Sequence, residues 1–134
     1  MNGINVKAYS LIKDGNIQLS KNFKVKEFAC KDGSDTVFIS DELVSLVQKI
    51  RDHYGKSVTI NSGYRTFSHN KKVGGAKKST HLVGIAADIM VKGVSPAKVA
   101  AYAETLMPEH GGIGQYKNFV HIDVRHEKSR WHGA

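Results

Sequence analysis

The run Ala86-Ala87-Asp88-Ile89-Met90-Val91 is apolar except for one carboxylate. Its composition predicts a buried strand. An ionised aspartate inside such a strand carries a heavy desolvation cost unless it is paired or bound to a metal. Whatever this chain folds into must therefore deliver partners to Asp88. On Asp88 alone, a lysine or a capped turn would serve as well as a metal.

Two histidines change that balance. His81 lies in Ser79-Thr80-His81-Leu82-Val83-Gly84-Ile85, just upstream of the strand. A reversal at Val83-Gly84 would bring its ring back to Asp88. His121 lies in the strand-like run Phe119-Val120-His121-Ile122-Asp123 and can arrive from a neighbouring strand. Each histidine alone is unremarkable, since the chain has 7 of them. Together, two imidazoles and one carboxylate are the ligand set of a catalytic zinc site that keeps one position for water. That set leaves the ion a net positive charge, so it can still acidify water. The chemistry implied is hydrolysis.

Two further residues belong to this reading. Asp123 is two positions beyond His121, and side chains two apart on a strand share a face. It can take a proton from the attacking water, or it can orient His121. The base role is preferred, because a hydrolase needs a base and no Glu lies near. Arg65, in Ser62-Gly63-Tyr64-Arg65, follows a predicted strand at a glycine turn. Its guanidinium can bind a substrate carboxylate or stabilise an oxyanion.

The remaining sequence suggests one α+β domain. A hairpin over residues 5–20 is expected, turning at Asp14-Gly15. Residues 21–40 read as irregular, with Phe23, Val25, Phe28, Val37 and Phe38 pinned to the core. Ser40 caps a helix from Asp41 to Tyr54 whose stripe is Leu43, Leu46, Val47 and Ile50. Ser57–Asn61 reads as a strand. Thr66 starts a short helix reaching Val73, and a basic loop, 74–80, leads to His81. Ser95-Pro96 opens a helix that stops before Pro108. Gly111–Gly114 turns into a strand pair ending at Val124, and the polar tail 125–134 carries Trp131 as an anchor. The expected architecture is a small central antiparallel sheet flanked by helices.

Bulk properties narrow the function classes. The 134 residues fit one domain, 1–134, and the single cysteine forbids an internal disulfide. Cys30 is expected to be a small buried hydrophobe rather than a zinc ligand, because no second cysteine accompanies it. The net charge of +8 favours anionic partners. The lysines are scattered, and no arginine-rich helix or aromatic-basic motif speaks for nucleic acid. No apolar run approaches the roughly 20 residues of a membrane helix. Met1-Asn2-Gly3-Ile4-Asn5 does not read as a signal peptide, so synthesis in the cytoplasm is expected.

The motifs Ser62-Gly63-Tyr64-Arg65, Ser79-x-His81-x-x-Gly84-x-Ala86-x-Asp88 and His121 after a Gly-rich turn resemble the zinc D-alanyl-D-alanine carboxypeptidases and their relatives. The resemblance spans about residues 20–131. It implies the fold shared with the hedgehog signalling domain, and a monomeric metallopeptidase acting on peptidoglycan stem peptides once released to the cell wall. D-Ala-D-Ala carboxypeptidase activity is the first expectation; an L-Ala-D-Glu endopeptidase of the endolysin type and a non-catalytic zinc module are the alternatives. By motif, His81, Asp88 and His121 would hold Zn²⁺. Arg65, Ser79 and Tyr64 would bind substrate, and anionic wall polymers are possible further partners. Many members place a Glu or Asp three residues before the last zinc His. Here that residue is Asn118, which leaves Asp123, in Phe-Val-His-x-Asp, as the candidate base.

Overall fold

The computed structural model describes residues 4–133. The reading of the N-terminus as no signal peptide falls partly on Met1–Gly3, outside the described residues. Along the chain run β1 (Val6–Ser10), α1 (Leu11–Asp14), β2 (Gln18–Ser20), β3 (Phe23–Lys24), a 3-10 turn (Val25–Phe28) and β4 (Thr36–Ser40). Then follow α2 (Asp41–Tyr54), β5 (Val58–Ser62), α3 (Phe67–Lys72), a second 3-10 turn (Thr80–Val83), β6 (Ala86–Val91), α4 (Pro96–Leu106), β7 (Gly112–Gln115), β8 (Val120–Asp123) and β9 (Ser129–His132).

The three longest helices start where a hydroxyl can cap them. Ser40 Oγ accepts from Leu43 N at 3.2 Å, Thr66 Oγ1 from His69 N at 3.2 Å, and Ser95 Oγ from Lys98 N at 3.3 Å. Asp41 and Glu42 sit at the positive start of α2, and Gly55 ends it in the left-handed region at φ 62°. A cap contributes about 1 kcal/mol. Leu43, Val44, Leu46, Val47 and Ile50 of α2 are all buried, and each large apolar side chain contributes about 1.5–3 kcal/mol. Packing therefore holds α2 in place, and capping only sets its ends.

The main sheet runs β5-β6-β8-β7-β9. Its first three pairings are antiparallel, but β9 joins β7 in parallel. The sheet is thus mixed, not purely antiparallel as expected. One face packs on the core: Ala87, Ile89 and Val91 of β6, with Val120 and Ile122 of β8, join the buried side chains of α2 and α4. The other face of β6 carries Ala86, Asp88 and Met90, the last 45% exposed. The apolar run is therefore the buried strand its composition predicts, with Met90 alone exposed. Register does the rest, because Asp88 lies directly opposite His121, and His121 opposite Gly114.

The N-terminal third departs from expectation. Val6–Ser10 pairs with Thr36–Ser40 rather than turning back at Asp14-Gly15. Ser10 instead caps α1, the Asp14 carboxylate accepts from Ser10 N at 2.7 Å, and Asp35 accepts from Ile12 N at 2.8 Å. These local bonds spend the turn residues on a helix. Residues 21–40 are not irregular, since they hold two strands and a 3-10 turn. Phe23, Val25, Phe28 and Val37 are buried as expected, but Phe38 is not. Alternation along β4 buries Val37 and Ile39 and turns Phe38 outward, against the Tyr64 ring at 5.3 Å. The tail, expected to be an anchored coil, contributes β9.

One glycine sets the approach to Asp88. Gly84 takes φ 76°, and a Cβ there would collide with the Phe38 carbonyl. Gly84→Ala is predicted to lower stability by about 1–3 kcal/mol, measured by urea denaturation; an unchanged midpoint would contradict this account of the turn.

Candidate metal centre

Asp88, His81 and His121 are brought together from β6, a 3-10 turn and the middle strand of the sheet, β8. His81 Nε2 lies 3.3 Å from Asp88 Oδ1, and His121 Nδ1 lies 3.1 Å from the same oxygen. The two rings meet edge to face at 5.1 Å. All three residues are buried.

The outer ring atoms decide what the inner ones offer. His81 Nδ1 donates to the Gly63 carbonyl at 2.7 Å, which leaves a lone pair on Nε2. His121 Nε2 donates to Asp123 Oδ2 at 2.7 Å, which leaves a lone pair on Nδ1. Both lone pairs then face Asp88 Oδ1, itself an acceptor. Three acceptors pointing at one another repel unless a proton or a cation lies among them. Burial opposes a charge on His121, but contact with Asp123 and Asp88 outweighs it and raises its pKa above the usual value. Burial likewise opposes charge on Asp88, and the close approach of both imidazoles overcomes it, holding that carboxyl well below the usual range. The donor set, two imidazoles and a carboxylate at bonding reach, fits a divalent cation in place of the proton.

Arg65 supports this cluster from the side. Its NH2 lies 3.4 Å from Asp88 Oδ2, its Nε donates to Ser62 Oγ at 3.0 Å, and its NH1 donates to Asn70 Oδ1 at 3.1 Å. Asn70 in turn donates to the Ala76 carbonyl at 2.9 Å and so pins the loop over the site. Asn70 has no signature in the sequence, because a lone Asn in a short helix looks like surface.

Asp123 lies behind His121 and is fully buried. Oδ1 accepts from Gly112 N at 3.0 Å, Arg125 N at 3.1 Å and Arg125 Nε at 2.8 Å. Oδ2 accepts from His121 Nε2 and from Arg125 NH2, each at 2.7 Å. Against the cost of burial, His121 and Arg125 hold its carboxyl well below the usual carboxylate range. Asp123 shares a face with His121 and touches its ring, but both its oxygens are taken up by His121, Arg125, Gly112 N and Thr80. Arg125, unforeseen in the sequence, also lies 5.5 Å above the Trp131 ring. Trp131 packs on Gly114, where any Cβ would collide with the indole, and its ring is 5.1 Å from that of His121.

A groove of about 460 Å³ opens above the cluster, lined by Arg65, Ser79, Asp88, His121, Arg125 and Trp131 among others. Asp88 is the only carboxylate along it among the described residues. Ser79 lies on the groove, its hydroxyl accepting from His81 N at 3.2 Å. Tyr64 does not line the groove, because its ring is turned to Phe38. Asn118 is exposed and lines a neighbouring hollow of about 560 Å³ that has no histidine or carboxylate.

The peptidase M15 family model matches residues 21–123, most of the chain and all of this cluster. The chain belongs to the peptidase M15 family. Curated relatives include the peptidoglycan L,D-endopeptidase MepK of Escherichia coli K12, 39% identical over 76 residues, which are 52% of this chain and 41% of that protein. Another is the "Probable peptidoglycan L,D-endopeptidase MepK" of Haemophilus influenzae, 38% identical over 74 residues, 50% of this chain and 39% of that protein. The matches thus span about two fifths of the length of these M15 relatives.

The Arg125 fork is the structural test of this centre. Arg125→Ala leaves a buried carboxylate short of the two bonds to the guanidinium, while the bond from the backbone N–H of residue 125 remains. It is expected to cost about 1–3 kcal/mol in denaturant unfolding. Arg125→Lys should recover only part of that, since an ammonium cannot fork. Full recovery by Lys would contradict the bidentate account.

Proposed function

We propose that this chain is a zinc-dependent peptidase of peptidoglycan that cuts an internal bond between an L- and a D-residue of the stem peptide, with L-Ala-D-Glu as the candidate bond. The observation that carries this reading is the convergence of lone pairs from His81, Asp88 and His121 at the floor of an open groove. Those three residues would hold Zn²⁺, which when bound would act as a Lewis acid and acidify water. The Gly63 carbonyl and Asp123 fix the two imidazole tautomers, and Arg125 keeps Asp123 ionised and in place. In this proposal Asp123 orients His121 rather than acting as the base. Arg65 steadies Asp88 and presents its charge to the groove, where it can stabilise a developing oxyanion. The basic surface suits the anionic polymers of the cell wall, where the protein would act.

One observation favours an internal bond over removal of a terminal D-alanine. The similar proteins in Escherichia coli and Haemophilus influenzae are named L,D-endopeptidases. Both groove arginines are already committed, Arg65 to Ser62, Asn70 and Asp88, and Arg125 to Asp123, so a substrate's terminal carboxylate would have to be met by Lys78, the remaining cation of the groove lining. The second reading, a zinc-containing binding module, draws on the groove's lack of any carboxylate besides Asp88.

Digestion of purified peptidoglycan with mass spectrometry of the muropeptides separates these readings. Stems cut at an internal L,D bond, with no free D-alanine and no products in chelator, are expected. Free D-alanine as the sole product would restore the carboxypeptidase, and zinc-loaded protein without cleavage would favour the module. Asp123→Asn distinguishes the two roles of that residue. As an orienting group, its loss should weaken zinc binding about 10–100-fold, with turnover partly restored by excess zinc. Wild-type zinc affinity with abolished turnover would return Asp123 to the base role.

A further inference from the structure

We propose that Cys30, Asp32 and His69 form a second cation site, outside the groove, for a thiophilic divalent ion such as zinc. One ligand atom from each lies within 4.8 Å of the others, a grouping matched among the described residues only by the candidate metal centre. The sequence argued against a role for Cys30 because no second cysteine accompanies it. The fold supplies different partners, a carboxylate two residues on and an imidazole from α3.

Thr66 draws the three together. Its backbone N–H donates to Cys30 Sγ at 3.5 Å, its hydroxyl donates to Asp32 Oδ2 at 2.7 Å, and that hydroxyl oxygen accepts from His69 N at 3.2 Å. Asp32 Oδ1 accepts from Ser34 N at 2.9 Å. A carboxylate has about four lone-pair positions, so it retains capacity for an ion. Cys30 is buried, His69 half-buried and Asp32 exposed, which gives a thiol floor with an open carboxylate mouth for entry.

The ligand chemistry sets the ion and its role. A thiolate selects zinc over magnesium or calcium. Thiolate plus carboxylate neutralise a divalent charge, so this ion would be a weaker Lewis acid than one held by two imidazoles and one carboxylate. Zinc bonds of about 2.0–2.3 Å would draw the segments together by about 1 Å. The segment so braced runs from Thr66 to His69, between Arg65 and Asn70, which hold each other at 3.1 Å beside Asp88. The second site would therefore stiffen the support of the first.

Cobalt(II) titration of the metal-stripped chain tests this. The wild type should bind two ions, one of them with thiolate-to-cobalt charge-transfer absorption in the near ultraviolet. Cys30→Ser should bind one ion without that band, and Asp88→Asn should lose the groove ion and keep the band. His69→Ala, which removes a ring the core does not use, should weaken the thiolate-site ion at least tenfold. Absence of the band from the wild type would overturn the proposal. So would a folded Cys30→Ser that still binds two ions. If Cys30→Ser does not fold, unchanged thiolate-site affinity in His69→Ala overturns it equally. Failure of the groove reading looks different, since one ion would then bind with the band intact.

Discussion

A buried carboxylate on an interior strand of the sheet, with two imidazole lone pairs aimed at one of its oxygens, is the constraint on which the rest of this structure depends. Removing an ionised group from water costs several kcal/mol even after the protein relaxes. Asp88 meets that cost through register: β8 sets His121 directly opposite, the Gly84 turn returns His81, and Arg65 closes the second oxygen. These elements come from four separate stretches of chain. None of them could satisfy Asp88 alone, so the buried charge also selects one arrangement among the ways these strands might pair.

Orientation is then passed outward. Gly63 holds His81, Asp123 holds His121, and Arg125 holds Asp123 while lying over Trp131. Trp131 arrives on β9, which pairs in parallel with β7 and rests on Gly114. The C-terminal strand thus belongs to the site as much as to the sheet. A side chain three steps from Asp88 can bias which imidazole nitrogen faces the ion, and this is the link by which packing becomes chemistry.

The helices were legible because their signals are local. Ser40, Thr66 and Ser95 cap within three residues, and α2 shows its stripe at helical spacing. His81, Asp88 and His121 were legible because few side chains bind metals and a carboxylate in an apolar run demands explanation. The N-terminal hairpin was misread because the partner of β1 is β4, far along the chain, and a turn dipeptide cannot reveal that its aspartate will bond Ser10 instead. The strand β9 was missed because a polar, edge-lying parallel strand has no periodic pattern to display. Asp123 shows a subtler limit. A shared face was readable, but the fork from Arg125 and the direction of each oxygen exist only in the fold. Cys30 is buried, as expected, and cysteine counting could not show that the fold also brings an aspartate and a histidine beside it. The α+β class and the peptidase M15 family were both within reach of the sequence.

The most direct measurement is diffraction across the zinc absorption edge from crystals of the zinc-loaded chain. An anomalous peak among His81 Nε2, His121 Nδ1 and Asp88, with His121 Nε2 still bonded to Asp123, is the predicted result. A zinc-loaded crystal with no peak there, or with the ion on His121 Nε2 and Asp123 displaced, would contradict the account.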